Sequence, residues 1–428
     1  MPTIHEPQAI AITGIGLVTP IGTDPAAFSA ALDSGHSALR QDKEIGRWVP
    51  RGKGPQEGRP IEVARVGEFG ARAAIDPARL RRIPRIAQFC IVAGRQALGL
   101  GPGPLGPAGA LPNCSGERIG VVLGTGLGSV DQVMEFTSGH LVGGPDNASP
   151  TMFPTTVMNT GAAMLAMELQ LLGPNITVNH RDLSAVEAVA TARDQLLRGR
   201  ADAILAGGFE ELGPWVAHGY ARLGALGAEG VPMRPYDRRR AGTALGEGAV
   251  LLLLEREQDA RARGATVLAR LAGVGRGGDD RPRVGWRRPG EDPPVAGAVA
   301  AVQTAMRQAG LSARDIDYVA GGGNGTDLEL VESRVLRAAL GTAAETVPIS
   351  SILGQTGESM MSPALRLAVA IDVLRRQRIP GSARCEEPDA EAALPGLCLQ
   401  SRAATVRSVL IPVLAQGGAT VALVLTAP

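Results

Sequence analysis

Residues 174–187, Pro174-Asn-Ile-Thr-Val-Asn-His-Arg-Asp-Leu-Ser-Ala-Val-Glu187, decide how this chain is read. The β-branched run Ile176-Thr-Val178 favours a strand, because branched side chains fit a pleated surface. Leu183-Ser-Ala-Val-Glu187 then opens a helical run. Asp182 stands at the junction, where a helix leaves its first N–H groups without intrahelical partners.

The same grammar recurs on both sides. Apolar runs that end in glycine alternate with amphipathic stretches, the pattern of a layered α/β protein. Four such strand ends are Leu123 to Gly128, Ala206 to Glu211, Ala320 to Gly325 and Ala415 to Thr420. Two stretches rich in Pro and Gly, Gly101 to Gly116 and Gly277 to Pro294, are expected to be surface loops without a regular element.

Composition narrows the class. With 428 residues, 44% of them hydrophobic, the chain can bury more than one core layer. A formal net charge of +1 gives no global field for nucleic acid or an anionic membrane. The basic residues are almost all Arg, with Lys only at Lys43 and Lys53, which biased codon usage explains more simply than a binding role. No charged-then-apolar leader is read at the start, and no apolar run approaches the roughly 18 residues that span a bilayer. A cytoplasmic protein is expected. Cys90, Cys114, Cys385 and Cys398 have neither C-x-x-C spacing nor His partners, so neither a disulfide framework nor a metal site is expected.

An ordered series of motifs resembles the β-ketoacyl synthases. Ile10-Ala-Ile-Thr-Gly-Ile-Gly-Leu-Val-Thr-Pro-Ile-Gly22 is similar to that family's first strand and turn, followed by an amphipathic stretch from Ala26 to Leu39. Val121 to Gly128 resembles its second Gly-rich strand end, Phe153 to Asn159 the segment before the nucleophile helix, and Ala203 to Glu210 the strand after it. Arg234-Pro-Tyr-Asp-Arg-Arg-Arg-Ala-Gly-Thr-Ala-Leu-Gly-Glu-Gly248 is close to the family block R-P-F-D-x-x-R-D-G-x-x-x-G-E-G. The resemblance implies a thiolase-like fold, a duplicated α-β-α-β-α sandwich with an N-terminal half over 1–256 and a C-terminal half over 265–428. A polar helix end closed by Gly264 would mark the junction.

The resemblance also implies where the reacting groups should lie. Aligning Thr177-Val-Asn-His-Arg-Asp182 with T-V-D-T-A-C puts Asp182 in place of the nucleophilic cysteine, whose thiolate a helix N-terminus favours. The turn H-G-T-x-T reads Gly321-Gly-Gly-Asn-Gly-Thr-Asp327, and its histidine is assigned to Gly322, with Gly321 as the alternative. In K-S-x-x-G-H, here Leu353-Gly-Gln-Thr-Gly-Glu358, Leu353 replaces the lysine and Glu358 the second histidine. Gln416 takes the aromatic place in the G-F-G-G-like turn before Gly417 and Gly418. Losing one oxyanion donor costs roughly 10² to 10³ in rate in other acyl-transfer enzymes. With nucleophile, donors and lysine all exchanged, no route to condensation by this chain alone is expected.

Two functional readings follow. The first is a non-condensing partner of the chain-length-factor type, in type II polyketide or fatty-acyl assembly. It would pair with a ketosynthase subunit or an identical chain, meet an acyl carrier protein, and use no cofactor, nucleic acid or membrane. Met152, Phe153 and Met158 are then candidates for a tunnel or interface. The second is an enzyme whose pocket is repurposed, with Asp182 and Glu358 as an acid/base pair and His180 beside them, acting as cyclase, dehydratase or hydrolase. A structural explanation competes with it: Asp182 caps its helix, Glu358 binds Arg181 or another arginine, and His180 is a packed core residue. Arg234, Arg238, Arg239 and Arg240 are read as internal ion-pairing groups before a carrier-protein dock, and Glu247 as a structural carboxylate.

Overall fold

The computed structural model describes residues 9–49, 58–101, 103, 110–112, 114–280 and 294–428. Strands β1 (Ile10–Val18), β2 (Ile119–Gly124), β3 (Asn175–Val178), β4 (Ala203–Glu210) and β5 (Gly248–Arg256) come from the first part of the chain. The second part supplies β6 (Ala269–Gly278), β7 (Tyr318–Ala320), β8 (Ile349–Ser350), β9 (Ser408–Leu414) and β10 (Ala419–Thr426). Hydrogen bonds run through them in the order β8-β7-β9-β10-β6-β1-β5-β4-β2-β3. Each array of five thus repeats one order and one set of directions: an antiparallel meander on the inside and two parallel strands on the outside. The arrays join at the pairs Ile10↔Leu271, Ala11↔Arg270 and Ile12↔Ala269.

Helices fill three layers around these arrays. After a first helix at Pro25–Ser34 come α1 (Arg85–Ala97), α2 (Val130–Gly143), α3 (Thr160–Leu169), α4 (Ser184–Leu197) and α5 (Pro214–Arg222). In the second part come α6 (Ala296–Gln308), α7 (Leu328–Leu340) and α8 (Ser362–Arg376). Helices α1 and α3 cover one outer face, α6 and α7 the other. Between the arrays lie α4 and α8, which are buried along nearly their whole length. This is the thiolase-like α-β-α-β-α sandwich.

Small residues let the central layer sit close to the strands. A Cβ on Gly124 would come within 2.1 Å of the Ser184 carbonyl oxygen, so glycine there admits the first turn of α4 against β2. The chain enters α4 through a 3-10 turn, Arg181–Leu183, with Arg181 at φ 52. Such a φ is uncommon for a residue with a side chain and often marks a functional place.

Several expectations shift here. The stretch from Ala26 to Leu39 is helical only over Pro25–Ser34, because Gly35 at φ 66 ends it. Gly277 and Gly278 are not loop residues: they pair with Thr420 and Ala419 in the sheet, where small residues let Gly297 of α6 pack on the strand. Gly116 opens a 3-10 turn. Of those two stretches, residues 102, 104–109, 113 and 281–293 lie outside the described residues. Among the described residues no helix is long and apolar enough to cross a membrane.

Candidate functional site

A cavity of about 670 Å³ opens at the start of α4. Asp182, Asn324, Glu358 and Gln416 contribute polar groups to its wall, while Trp215, Val216 and Leu223 of the α5 region form an apolar side. Arg240 and Arg366 lie deeper, in a base held together by internal bonds. The volume falls in the usual range for small-molecule sites, and the mixture of an apolar wall with a few polar groups is typical of them.

Asp182 is not a helix cap. Helix α4 has no side-chain hydrogen bond at its N-cap. Instead, the Asp182 carboxylate accepts the backbone N–H of Gln416 at 3.3 Å, across the β9–β10 turn. Gly418, at φ 92, closes that turn, and its N–H reaches the Ala415 carbonyl. Burial raises the Asp182 carboxyl above its ordinary value, and the Gln416 amide and the Arg181 charge only partly offset it.

Glu358 has no arginine either. Asn324 Nδ2 donates to it at 3.1 Å and the Ser359 N–H at 2.9 Å, and no ion pair of Glu358 occurs among the described residues. Burial pushes its carboxyl up to about 7, against the Ser362 and Asn324 hydrogen bonds, and the charge of Asp182 raises it further. The charge of one acid is therefore felt by the other along the cavity wall. Tyr220 joins them: burial lifts its phenol well above the ordinary range, and Glu358 and Asp182 add to the effect.

The base of the cavity is built differently. Arg366 is buried and donates to the Ala320 carbonyl at 2.9 Å and to the Pro412 carbonyl. It stands 3.6 Å from Glu332, which accepts the Tyr236 hydroxyl at 2.6 Å and the Gly322 N–H at 2.8 Å. These groups satisfy one another.

Comparison with known proteins agrees with this architecture along the whole chain. Residues 8–260 match the N-terminal domain of β-ketoacyl synthase and residues 268–386 its C-terminal domain. The chain belongs to the β-ketoacyl synthase family. A curated member of the family from Coxiella burnetii, 3-oxoacyl-[acyl-carrier-protein] synthase 2, is 26% identical over 98% of this chain and 99% of its own. The solved β-ketoacyl synthase from Burkholderia phymatum superposes with a TM-score of 0.85, at 25% identity over 98% of this chain and 100% of the other. The ishigamide ketosynthase/chain length factor gives 0.83 at 22%, over 99% of this chain and 100% of the other.

On this β-ketoacyl synthase scaffold, the folded chain brings Asp182, Glu358 and Gln416 to one cavity. It does not bring His180, which is exposed rather than packed in the core: β3 ends at Val178, and the backbone turns before α4. Met152, Phe153 and Met158 do not line the cavity of a single chain. They sit on an outer face, where Phe153 is 58% exposed and Met158 38%, beside α2, which has no buried residue.

At Gly322 the geometry differs from the alignment. A Cβ there would lie 2.8 Å from Arg366 Nη1, so that position faces the internally bonded base. The side chain that meets Glu358 is Asn324. The sequence holds a signal for this, since Asn324-Gly-Thr326 keeps the G-T of the H-G-T pattern. The arginines are paired as expected: Arg234 and Arg239 with Glu386, Arg238 with Glu387, and Arg240 with Asp389.

Proposed function

We propose that the chain is a non-condensing partner subunit of a ketosynthase, of the chain-length-factor type, acting in the assembly of acyl or polyketide chains held on an acyl carrier protein. The observation that carries this reading is Asp182. The family motif gives its position to the nucleophile, and a carboxylate attacks a thioester poorly and would form an anhydride that water destroys. Around it, Glu358 and Asn324 offer no imidazole to a thioester carbonyl. The exposed apolar face of Phe153, Val157 and Met158 supports docking to a second subunit. Likeness to the ishigamide ketosynthase/chain length factor supports the same reading at the level of the fold.

Reconstitution tests it. Incubated alone with acyl-carrier thioesters and malonyl units, the chain should show no acyl adduct by intact mass and form no condensation product. Paired with its ketosynthase it should co-elute as a dimer, and bulky substitutions at Met152 or Met158 should shorten or alter the product. Condensation by the chain alone, or an acyl adduct mapped to Asp182, would overturn the reading.

A further inference from the structure

We propose that the cavity is itself an enolising site for acyl chains that carry a 1,3-dicarbonyl group, with Asp182 as the base and Glu358 as the acid. Four observations point there. The two carboxyls share one cavity wall, and neither has the structural partner that would explain it: Asp182 caps no helix and Glu358 pairs with no cation among the described residues. The cavity is large enough for a short acyl chain, and Trp215, Val216 and Leu223 give that chain an apolar side to lie on. Beside Glu358, the hydroxyl of Ser359, a residue only 9% exposed, finds no hydrogen-bond partner among the described residues. A buried hydroxyl in that state is a donor lacking an acceptor, and a substrate carbonyl oxygen would supply one.

The environments also separate the two roles. Asp182 receives a backbone N–H and lies near the Arg181 charge, both of which favour its ionised form. Glu358 is held only by neutral groups, the Asn324 amide, the Ser362 hydroxyl and a backbone N–H, in a more enclosed place, and keeps its proton more readily. Pairs pushed apart in this way are how one site presents an acid and a base together.

Substrate class follows from base strength. Carbon next to a single thioester yields its proton to a carboxylate only with strong stabilisation of the enolate oxygen, whereas a methylene or methine between two carbonyls is acidic enough for the match that general base catalysis needs. In the step, the C–H bond between the carbonyls breaks and its proton passes to an Asp182 oxygen. The electron pair forms the C=C bond, and the carbonyl oxygen takes the proton of Glu358. The product is the enol, an isomer of the substrate. Reversal resets both carboxyls, and a solvent proton exchanged onto Asp182 enters the carbon. No oxidant, metal or second substrate takes part.

This inference stands apart from the partner reading, and the experiment separates them. The chain alone is placed in D₂O at neutral pH with S-(2-methyl-3-oxobutanoyl)-N-acetylcysteamine, and loss of the C2 proton is followed by NMR. Exchange should run about 10²-fold or more above buffer. Glu358→Gln and Asp182→Asn should each lower it by roughly 10² to 10⁴, the span of general acid or base catalysis, while each variant still unfolds cooperatively and well above the assay temperature. Should either variant fail to fold, Leu223→Trp at the exposed apolar rim narrows the cavity while leaving both carboxyls in place and should also slow exchange. Exchange at the buffer rate, or a wild-type rate in the folded variants, overturns the inference. If the reconstituted pair still makes product in that case, the partner reading survives it.

Discussion

Glu247 and Glu358 hang from adjoining backbone and meet opposite surroundings. The Glu358 N–H donates to the Ala244 carbonyl at 2.8 Å, and its own carbonyl accepts the Gly246 N–H at 2.9 Å. One residue further on, Glu247 is fully buried, with Arg85 Nη2 at 2.9 Å and the N–H groups of Val66 and Leu212 at 2.9 and 3.1 Å. Its charge is answered on every side. Glu358, on the cavity side of the same backbone, receives only neutral donors. The difference separates a carboxylate that locks the fold from one left poised, and it does so without reference to a motif.

Removing the locking group should have the larger effect. Glu247→Ala leaves Arg85 without its partner and two buried N–H groups without an acceptor. We expect a loss of about 3–5 kcal/mol in urea unfolding, the usual cost of breaking a buried pair from one side. A loss below about 1 kcal/mol would erase the contrast between the two glutamates.

Glu358→Gln should act through pH. The folded carboxyl sits at about 7, above its ordinary value of 4.5, so the unfolded chain releases this proton first as pH rises. The native state binds the extra proton in that window, and stability therefore falls as pH climbs from about 4.5 to about 7. The glutamine removes this loss. Relative to wild type it should gain up to roughly 2–3 kcal/mol above about pH 7 and nothing below about pH 4, read from urea midpoints across the range. Glu210 and Glu329, pushed up by burial to about 7 and about 8, act in the same direction in both proteins and cancel in the difference.

Smaller effects are expected at the surface and at the nucleophile position. Arg238, 68% exposed at its side chain, pairs with Glu387. Arg238→Ala should change stability by less than about 1 kcal/mol, as exposed pairs do, and should leave carrier-protein binding by surface plasmon resonance unchanged. Asp182→Cys should add no condensing activity, because Asn324 and Glu358 still provide no imidazole. A malonyl condensation assay on the purified variant checks this, and product formation would mean that the cavity needs only a thiol.

Much of this was legible before folding. The runs ending at Gly128, Glu211 and Gly325 do follow the ends of strands β2, β4 and β7, and Ala415 to Thr420 holds the β9–β10 turn and the first residues of β10. Motif order along the chain carried Asp182, Glu358 and Gln416 into one cavity despite their separation. The first histidine position was assigned to Gly322, with Gly321 as the alternative, yet the side chain that reaches Glu358 is Asn324, because the glycine run 321–323 leaves the register of that turn open in sequence. Tyr220 and Ser359 gave no signal at all: a lone tyrosine on a helix reads as core, and an unpartnered hydroxyl exists only once its neighbours have assembled. His180 is neither in the pocket nor in the core, because standing two residues before Asp182 says nothing about where the backbone turns at Arg181.

The shared central layer also governs how the chain can be made. Helix α4 buries its apolar face against α8 and against strands from both arrays. When the first half leaves the ribosome, Val186, Val189 and Leu196 have sheet on one side and nothing yet on the other. They stay wet until residues 362–376 emerge, and β6 to β10 must follow before the far side closes. Contacts so distant in sequence form slowly, and an apolar surface open for that long invites association with other chains. Production of this protein should therefore depend on chaperone capacity more than on its final stability, and truncation before α8 should yield aggregate rather than a soluble half.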